Sequence, residues 1–168
     1  MEPIRQLHDN FKSQSKLIIF CDGKILYDHD QKTYCFDIKD LNSLSDYSPY
    51  LSIAKDPKSN EYYYSINIDP KTNVLGIFMD PAKIEFSDFR TTLSFLDPSD
   101  FQLISRASIL VNWKATNQFC SSCGKQTVFN LSESAPDCDC LAPPRYPVIS
   151  PCIITLIHRL ILQWTKSY

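Results

Sequence analysis

The sequence predicts an α+β chain: a β-rich N-terminal domain with two helices, followed by a small cysteine-centred module. Three observations carry this reading. Short alternating apolar runs separated by turn residues fill the first half. The apolar period then becomes helical between Phe86 and Lys114. Two close cysteine pairs follow, Cys120 with Cys123 and Cys138 with Cys140.

The strands come first. Lys16–Phe20 and Lys24–Tyr27 are apolar runs flanking Cys21-Asp22-Gly23, and Asp-Gly is a strong hairpin signal. Thr33–Ile38 alternates like a half-buried strand. Tyr62–Ile68 also alternates, with Tyr62, Tyr64, Ile66 and Ile68 on one face. Val74–Met79 is a further candidate. Together these predict an antiparallel sheet with short turns.

The helices follow. Phe86, Phe89, Leu93 and Leu96 fall at helical spacing, with a start near Ser87 or Asp88. Ser99 and Gln102 form a capping box that opens a second helix over about Ser99–Thr116. Leu103, Ala107, Leu110 and Lys114 share its face, with Ile104 and Val111 beside it. Trp113 is expected to anchor the core.

Composition removes several function classes. The 168 residues suffice for one or two small domains, and 43% hydrophobic and 12% aromatic residues supply a core. A net charge of −2 gives no basic field to attract a nucleic-acid backbone. With three glycines, no Gly-rich phosphate loop fits. The N-terminus reads as neither a signal peptide nor a membrane span. Seven cysteines without a leader suggest a reducing intracellular compartment.

The cysteine pairs carry the chemistry. Cys120-Ser121-Ser122-Cys123-Gly124 is the shape of a zinc knuckle, where two thiolates grip one metal and glycine permits the tight turn. Fourteen residues separate Cys123 from Cys138, the spacing of a zinc ribbon. Four thiolates complete a tetrahedral ion and leave no place for water, so the zinc is structural. The second pair is C-x-C, a tighter turn than C-x-x-C. The competing reading is four ordinary buried or paired cysteines. Beyond lie a stiff Pro143–Pro147 connector, a β-rich Cys152–Ile157, a turn at His158-Arg159 and a strand over Leu160–Trp164.

With these residues in place, the chain resembles the NADH pyrophosphatase family of Nudix hydrolases. The resemblance rests on W-K-A-T-N-Q-F-C-S-S-C-G from Trp113, the second cysteine pair, and R-Y-P-V-I-S-P-C-I-I-T-L-I from Arg145. It covers about Leu103–Trp164. It implies three parts: residues 1–98, a β-rich N-terminal domain of that type; 99–147, a helix plus zinc ribbon; and 148–168, the first two strands of a truncated Nudix domain. It also implies hydrolysis of NADH or NAD, or of the NAD cap of RNA, to nicotinamide mononucleotide and AMP. Structural zinc on Cys120, Cys123, Cys138 and Cys140, Mg²⁺ or Mn²⁺ for the chemistry, and a homodimer are implied as well.

The Nudix box is not found in this sequence. It needs a glycine, a glutamate and an R-E-x-x-E-E cluster to hold the divalent metals. The four glutamates are Glu2, Glu61, Glu85 and Glu133, and none follows Tyr146. The expectation is a non-catalytic, zinc-binding N-terminal part with no catalytic residues of its own. The alternative is a stand-alone zinc ribbon for RNA binding or dimerisation, with Lys114, Lys125 and Arg145 as a thin basic patch. Phe119 and Phe129 then stack on bases or pack on the ribbon. The expected location is intracellular, cytoplasmic or peroxisomal, although the C-terminal Lys-Ser-Tyr is not the S-K-L signal. His8, His29 and His158 are too far apart to suggest a nucleophile–base pair. Asp28-His29-Asp30 reads as a solvated turn, and Cys21, Cys35 and Cys152 as apolar packing residues.

Overall fold

The computed structural model describes residues 2–3, 14–40, 51–71, 78, 83–130, 133, 135–140, 142–148 and 153–155. Within them the chain is α+β, as predicted. Strands β1 (Glu2–Pro3), β2 (Ser15–Cys21), β3 (Lys24–Asp28), β4 (Phe36–Asp37), β5 (Leu51–Lys55), β6 (Tyr62–Asn67) and β7 (Ile84–Asp88) form one sheet. Its order is β1-β5-β6-β2-β3-β7, with β4 also paired to β2. Helices α1 (Phe89–Leu93) and α2 (Pro98–Thr116) follow, then a two-stranded ribbon of β8 (Val128–Asn130) and β9 (Ala135–Asp137).

The centre of the sheet follows from the composition of β2. Leu17, Ile18, Ile19 and Phe20 are consecutive apolar residues, so both faces of this strand must be covered. Leu17 and Ile19 join Tyr62, Tyr64, Ile66 and Ile68 in one buried cluster. Ile18 and Phe20 join Leu51, Ile53, Leu103, Ile104, Ala107 and Val111 in the other. The face that carries Tyr62, Tyr64, Ile66 and Ile68 is the one expected from their alternation.

The β2–β3 turn is built by Asp22 and Gly23, with φ of 48° and 73°. Positive φ at both central positions is the type I′ geometry that matches strand twist. Cys21 pairs with Lys24 directly across it.

Several expectations are corrected. The sheet is mixed rather than antiparallel, because β2 and β6 run parallel from Ser15↔Tyr62 to Phe20↔Asn67. Thr33–Ile38 forms only the two-residue β4 before a short 3₁₀ turn at Ile38–Asp40. β5 is an additional strand, with a register shift between Ser52 and Ala54. Ile53 falls in that irregularity, and Arg106 Nε donates to its carbonyl at 3.0 Å, tying α2 to the strand. Phe86 belongs to β7, which pairs with β3 over its full length; the helix starts only after it. The Val74–Met79 strand falls, apart from Phe78, outside the described residues.

Both helices begin on aspartate. Asp88 Oδ1 accepts from Thr91 N at 2.8 Å and caps α1. At α2 the cap is Asp97 rather than the Ser99–Gln102 box. Asp97 Oδ1 accepts from the amides of Ser99 and Asp100 at 2.9 and 3.0 Å. Pro98 occupies the first helical turn, where its missing N–H costs nothing. The helix starts at Pro98, before Ser99, so Asp97 immediately ahead of it is the residue that reaches the first free amides. Leu103, Ile104, Ala107 and Val111 are buried against the sheet. The segment 148–168, expected to supply two strands, lies mostly outside the described residues. Ile153–Thr155 are described there; they belong to no strand, and Ile153 and Ile154 are 89% and 98% exposed.

Candidate metal centre

The end of α2 delivers the first knuckle. Asn117 caps the helix: its amide reaches the carbonyls of Trp113 and Lys114, and its Nδ2 donates to the Trp113 carbonyl at 2.8 Å. The chain then reverses. Thr127 N donates to the Gln118 carbonyl at 2.8 Å, and Thr127 Oγ1 donates to the Asn117 carbonyl at 3.0 Å. Cys120 N donates to the Lys125 carbonyl at 2.7 Å and Gly124 N to the Cys120 carbonyl at 2.8 Å, which closes the loop. Gly124 stands at φ 73°, a conformation that glycine adopts at little cost.

The second pair arrives on β9, which pairs antiparallel with β8 from Val128↔Asp137 to Asn130↔Ala135. Ala135, the first residue of β9, is fully buried. Cys138 and Cys140 follow at once. The C-x-C spacing therefore causes no misfit: the turn is tight, and Cys138 N is held by Asp137 Oδ1 at 2.8 Å.

The four sulfurs meet. Cys120 Sγ lies 3.5 Å from Cys140 Sγ, and Cys123 Sγ lies 3.5 Å from Cys138 Sγ. All four lie within 4.8 Å of one another. A disulfide would need about 2.05 Å. Tetrahedral zinc with Zn–S bonds of about 2.3 Å places its sulfurs about 3.8 Å apart. The cage fits a tetrathiolate ion and no disulfide.

Backbone amides prepare it. Ser122 N points at Cys120 Sγ from 3.4 Å. Amide hydrogen bonds from Ser122 and Cys123 lower the Cys120 thiol to about 6. At Cys138 the amide of Cys140 is the largest single influence and acts in the same direction, but the hydrogen bonds with the Cys123, Cys140 and Cys120 thiols and desolvation together outweigh it, and the thiol is pushed up to about 12. Cys140 is raised as well: the Ala142 amide pulls down, and sharing a proton with Cys120 and Cys123 pushes up. Four thiolates this close repel one another, so without a cation some keep their protons. A divalent cation reverses that balance and drives all four to thiolates.

Trp113 does less in the core than expected and more at the ribbon. It is half-buried and meets Phe129 edge-on at 6.3 Å between ring centroids. Lys114 Nζ lies 4.9 Å from the centroid of the same Phe129 ring. Phe129 thus packs on the helix, while Phe119 stays 65% exposed. The connector is also fastened, since Tyr146 Oη donates to Glu133 at 3.0 Å, a pair that no sequence spacing signals.

Among the described residues the remaining candidates gather no further metal-ligating cluster. Asp28 Oδ1 accepts from the amides of Asp30 and Gln31, and His29 Nε2 pairs with Glu85 at 2.6 Å. This is a hydrogen-bonded turn in which His29 and Asp30 are exposed, as expected, while Asp28 is buried. Cys21 is buried, and desolvation pushes the Cys35 thiol up to about 12; neither thiol is activated. His8, His158 and Cys152 lie outside the described residues. Among the described residues no helix is long and apolar enough to cross a membrane.

About half of the chain is similar to hydrolases of NAD-type pyrophosphates. It is 28% identical over 85 residues to the NAD-capped RNA hydrolase NudC of Stutzerimonas stutzeri, covering 51% of this chain and 31% of that protein. It is 35% identical over 89 residues to the human mitochondrial NAD(P)H pyrophosphatase NUDT13, covering 51% of this chain and 25% of that protein. It is 38% identical over 74 residues to NudC of Klebsiella pneumoniae, covering 42% and 29%. The matched stretch thus spans less than a third of each of these relatives. No family model matches the chain.

Proposed function

We propose that this chain is the zinc-binding, non-catalytic part of an NADH pyrophosphatase of the Nudix class. One observation carries the reading: four cysteine sulfurs gathered within 4.8 Å, in a chain similar over half its length to NAD-cap and NAD(P)H hydrolases. The ribbon's role is structural. Its two strands have almost no core of their own, and the ion substitutes for one. The ribbon fixes the path of the chain from α2 to the Pro143–Pro147 connector.

Hydrolysis of NADH, NAD or an NAD cap would need a carboxylate cluster holding Mg²⁺ or Mn²⁺ against the pyrophosphate. The carboxylates after Tyr146 number none in this sequence, so the chemistry belongs to a catalytic domain of the family type. A homodimer goes with that reading. The RNA-binding alternative is weaker, because Lys114, Lys125 and Arg145 are its only cations and the chain carries a net charge of −2.

A chimera tests the proposal. Residues 1–147 replace the corresponding part of the Stutzerimonas NudC, ahead of that protein's own catalytic domain. Zinc loading with retained hydrolysis of NAD-capped RNA is the expected result. A soluble, zinc-loaded chimera with no activity would contradict the assignment.

A further inference from the structure

Between the sheet, the C-terminal half of α2 and the ribbon lies a cleft of about 330 Å³. Small-molecule sites span roughly 300–1,000 Å³. Strand parity explains its place. Along β6, Tyr62, Tyr64 and Ile66 face one cluster, and Tyr63 faces the cluster that α2 covers. Ser65 and Asn67 share the parity of Tyr63 and line the cleft.

The walls converge polar groups of one kind. Asn67, Gln118 and Gln126 offer carboxamides, each both donor and acceptor. Lys114 supplies a cation, and no acidic residue is among the lining. Phe129 forms an aromatic wall beside the ammonium. Burial lowers the Lys114 pKa, so its charge is partly stripped of water and acts more strongly on an anion.

Ser65, fully buried, closes the floor of the cleft.

We propose that this cleft binds a small flat heterocycle carrying one anionic group, of nucleoside-monophosphate size. The ring lies against Phe129, its polar edge meets the carboxamides of Asn67, Gln118 and Gln126, and the anion meets Lys114. The inference rests on the cleft alone and not on the family assignment.

The test titrates the ¹⁵N-labelled, zinc-loaded full chain with AMP, UMP, adenosine and inorganic phosphate. At least one monophosphate should produce saturable shifts at the amides of Asn67, Lys114, Gln118 and Gln126. It should bind about tenfold more tightly than adenosine or phosphate, as expected when a charge-assisted contact adds to ring contacts. Lys114→Met should remove that advantage, and Gln126→Ala, at an exposed position, should weaken binding severalfold. No saturable binding of either monophosphate, shifts confined to other residues, or full affinity in a zinc-loaded Lys114→Met chain would overturn the proposal. If Lys114→Met does not fold, unchanged affinity in Gln126→Ala overturns it.

Discussion

Gly124 and the Cys120 sulfur decide whether the first knuckle closes. A Cβ at Gly124 would meet nothing within 4 Å, yet the backbone stands at φ 73°. The cost of Gly124→Ala is therefore conformational, about 1–2 kcal/mol, with no clash to relieve. Chelator competition should show zinc leaving the variant about tenfold more readily, and Gly124→Asn should lie between the two. Equal retention in Gly124→Ala would mean that the loop closes without this geometry. The aspartate caps make a separate prediction in acid. Asp97 is held below the usual carboxylate range by the Asp100 amide first and the Ser99 hydroxyl next; Asp88 is held down by Thr91 in the same way. A depressed folded pKa contributes stability above the unfolded value, about 3.9, and loses it as pH falls through the folded value. Thermal melts across pH 2–5 should therefore show a shallower acid decline in Asp97→Asn than in the parent. Both carboxylates are exposed, so the difference should be small and should shrink further in salt. Identical acid limbs would remove these caps from the acid response.

At the scale of elements, α2 organises the molecule: it covers one face of the sheet and delivers the first knuckle. Ile104 is 1% exposed and Ile109, on the outer face, 44%. Ile104→Ala should cost about 2–5 kcal/mol in denaturant unfolding, and Ile109→Ala about 0.5 kcal/mol or less. Comparable losses at the two positions would contradict the packing of α2 on the sheet. This helix was legible because its apolar face repeats over many turns. So were the Asp22-Gly23 hairpin, where turn chemistry is local, and β6, where four large residues alternate. Strand partners were not legible. β2 and β6 pair in parallel although β3, β4 and β5 lie between them in sequence, and nothing in either strand's alternation records the direction of its neighbour. β5 escaped because small residues, Ser52 and Ala54, fill its second face, so its alternation is faint. Phe86 fitted the helical period by coincidence of spacing, while β3 claimed it for the sheet.

At the scale of the whole molecule, the metal centre was more legible than the sheet that supports it. Thiol spacing encodes the site directly, and the ribbon brings all four cysteines together. The contacts that dock the ribbon were not legible: Trp113 on Phe129, Thr127 on Asn117, and Tyr146 on Glu133 depend on where the helix ends. The 168 residues alone should release no nicotinamide mononucleotide from NADH with Mg²⁺ or Mn²⁺, since no carboxylate cluster of the family type is present. Release above a buffer blank by hydrolase-free protein would require another metal site. Elemental analysis of protein purified without added metal tests the metal centre most directly. One zinc per chain is expected, with loss of zinc and of amide protection in the ribbon for Cys120→Ser/Cys123→Ser. Zinc near zero in the parent, or full retention in that double variant, would contradict the account.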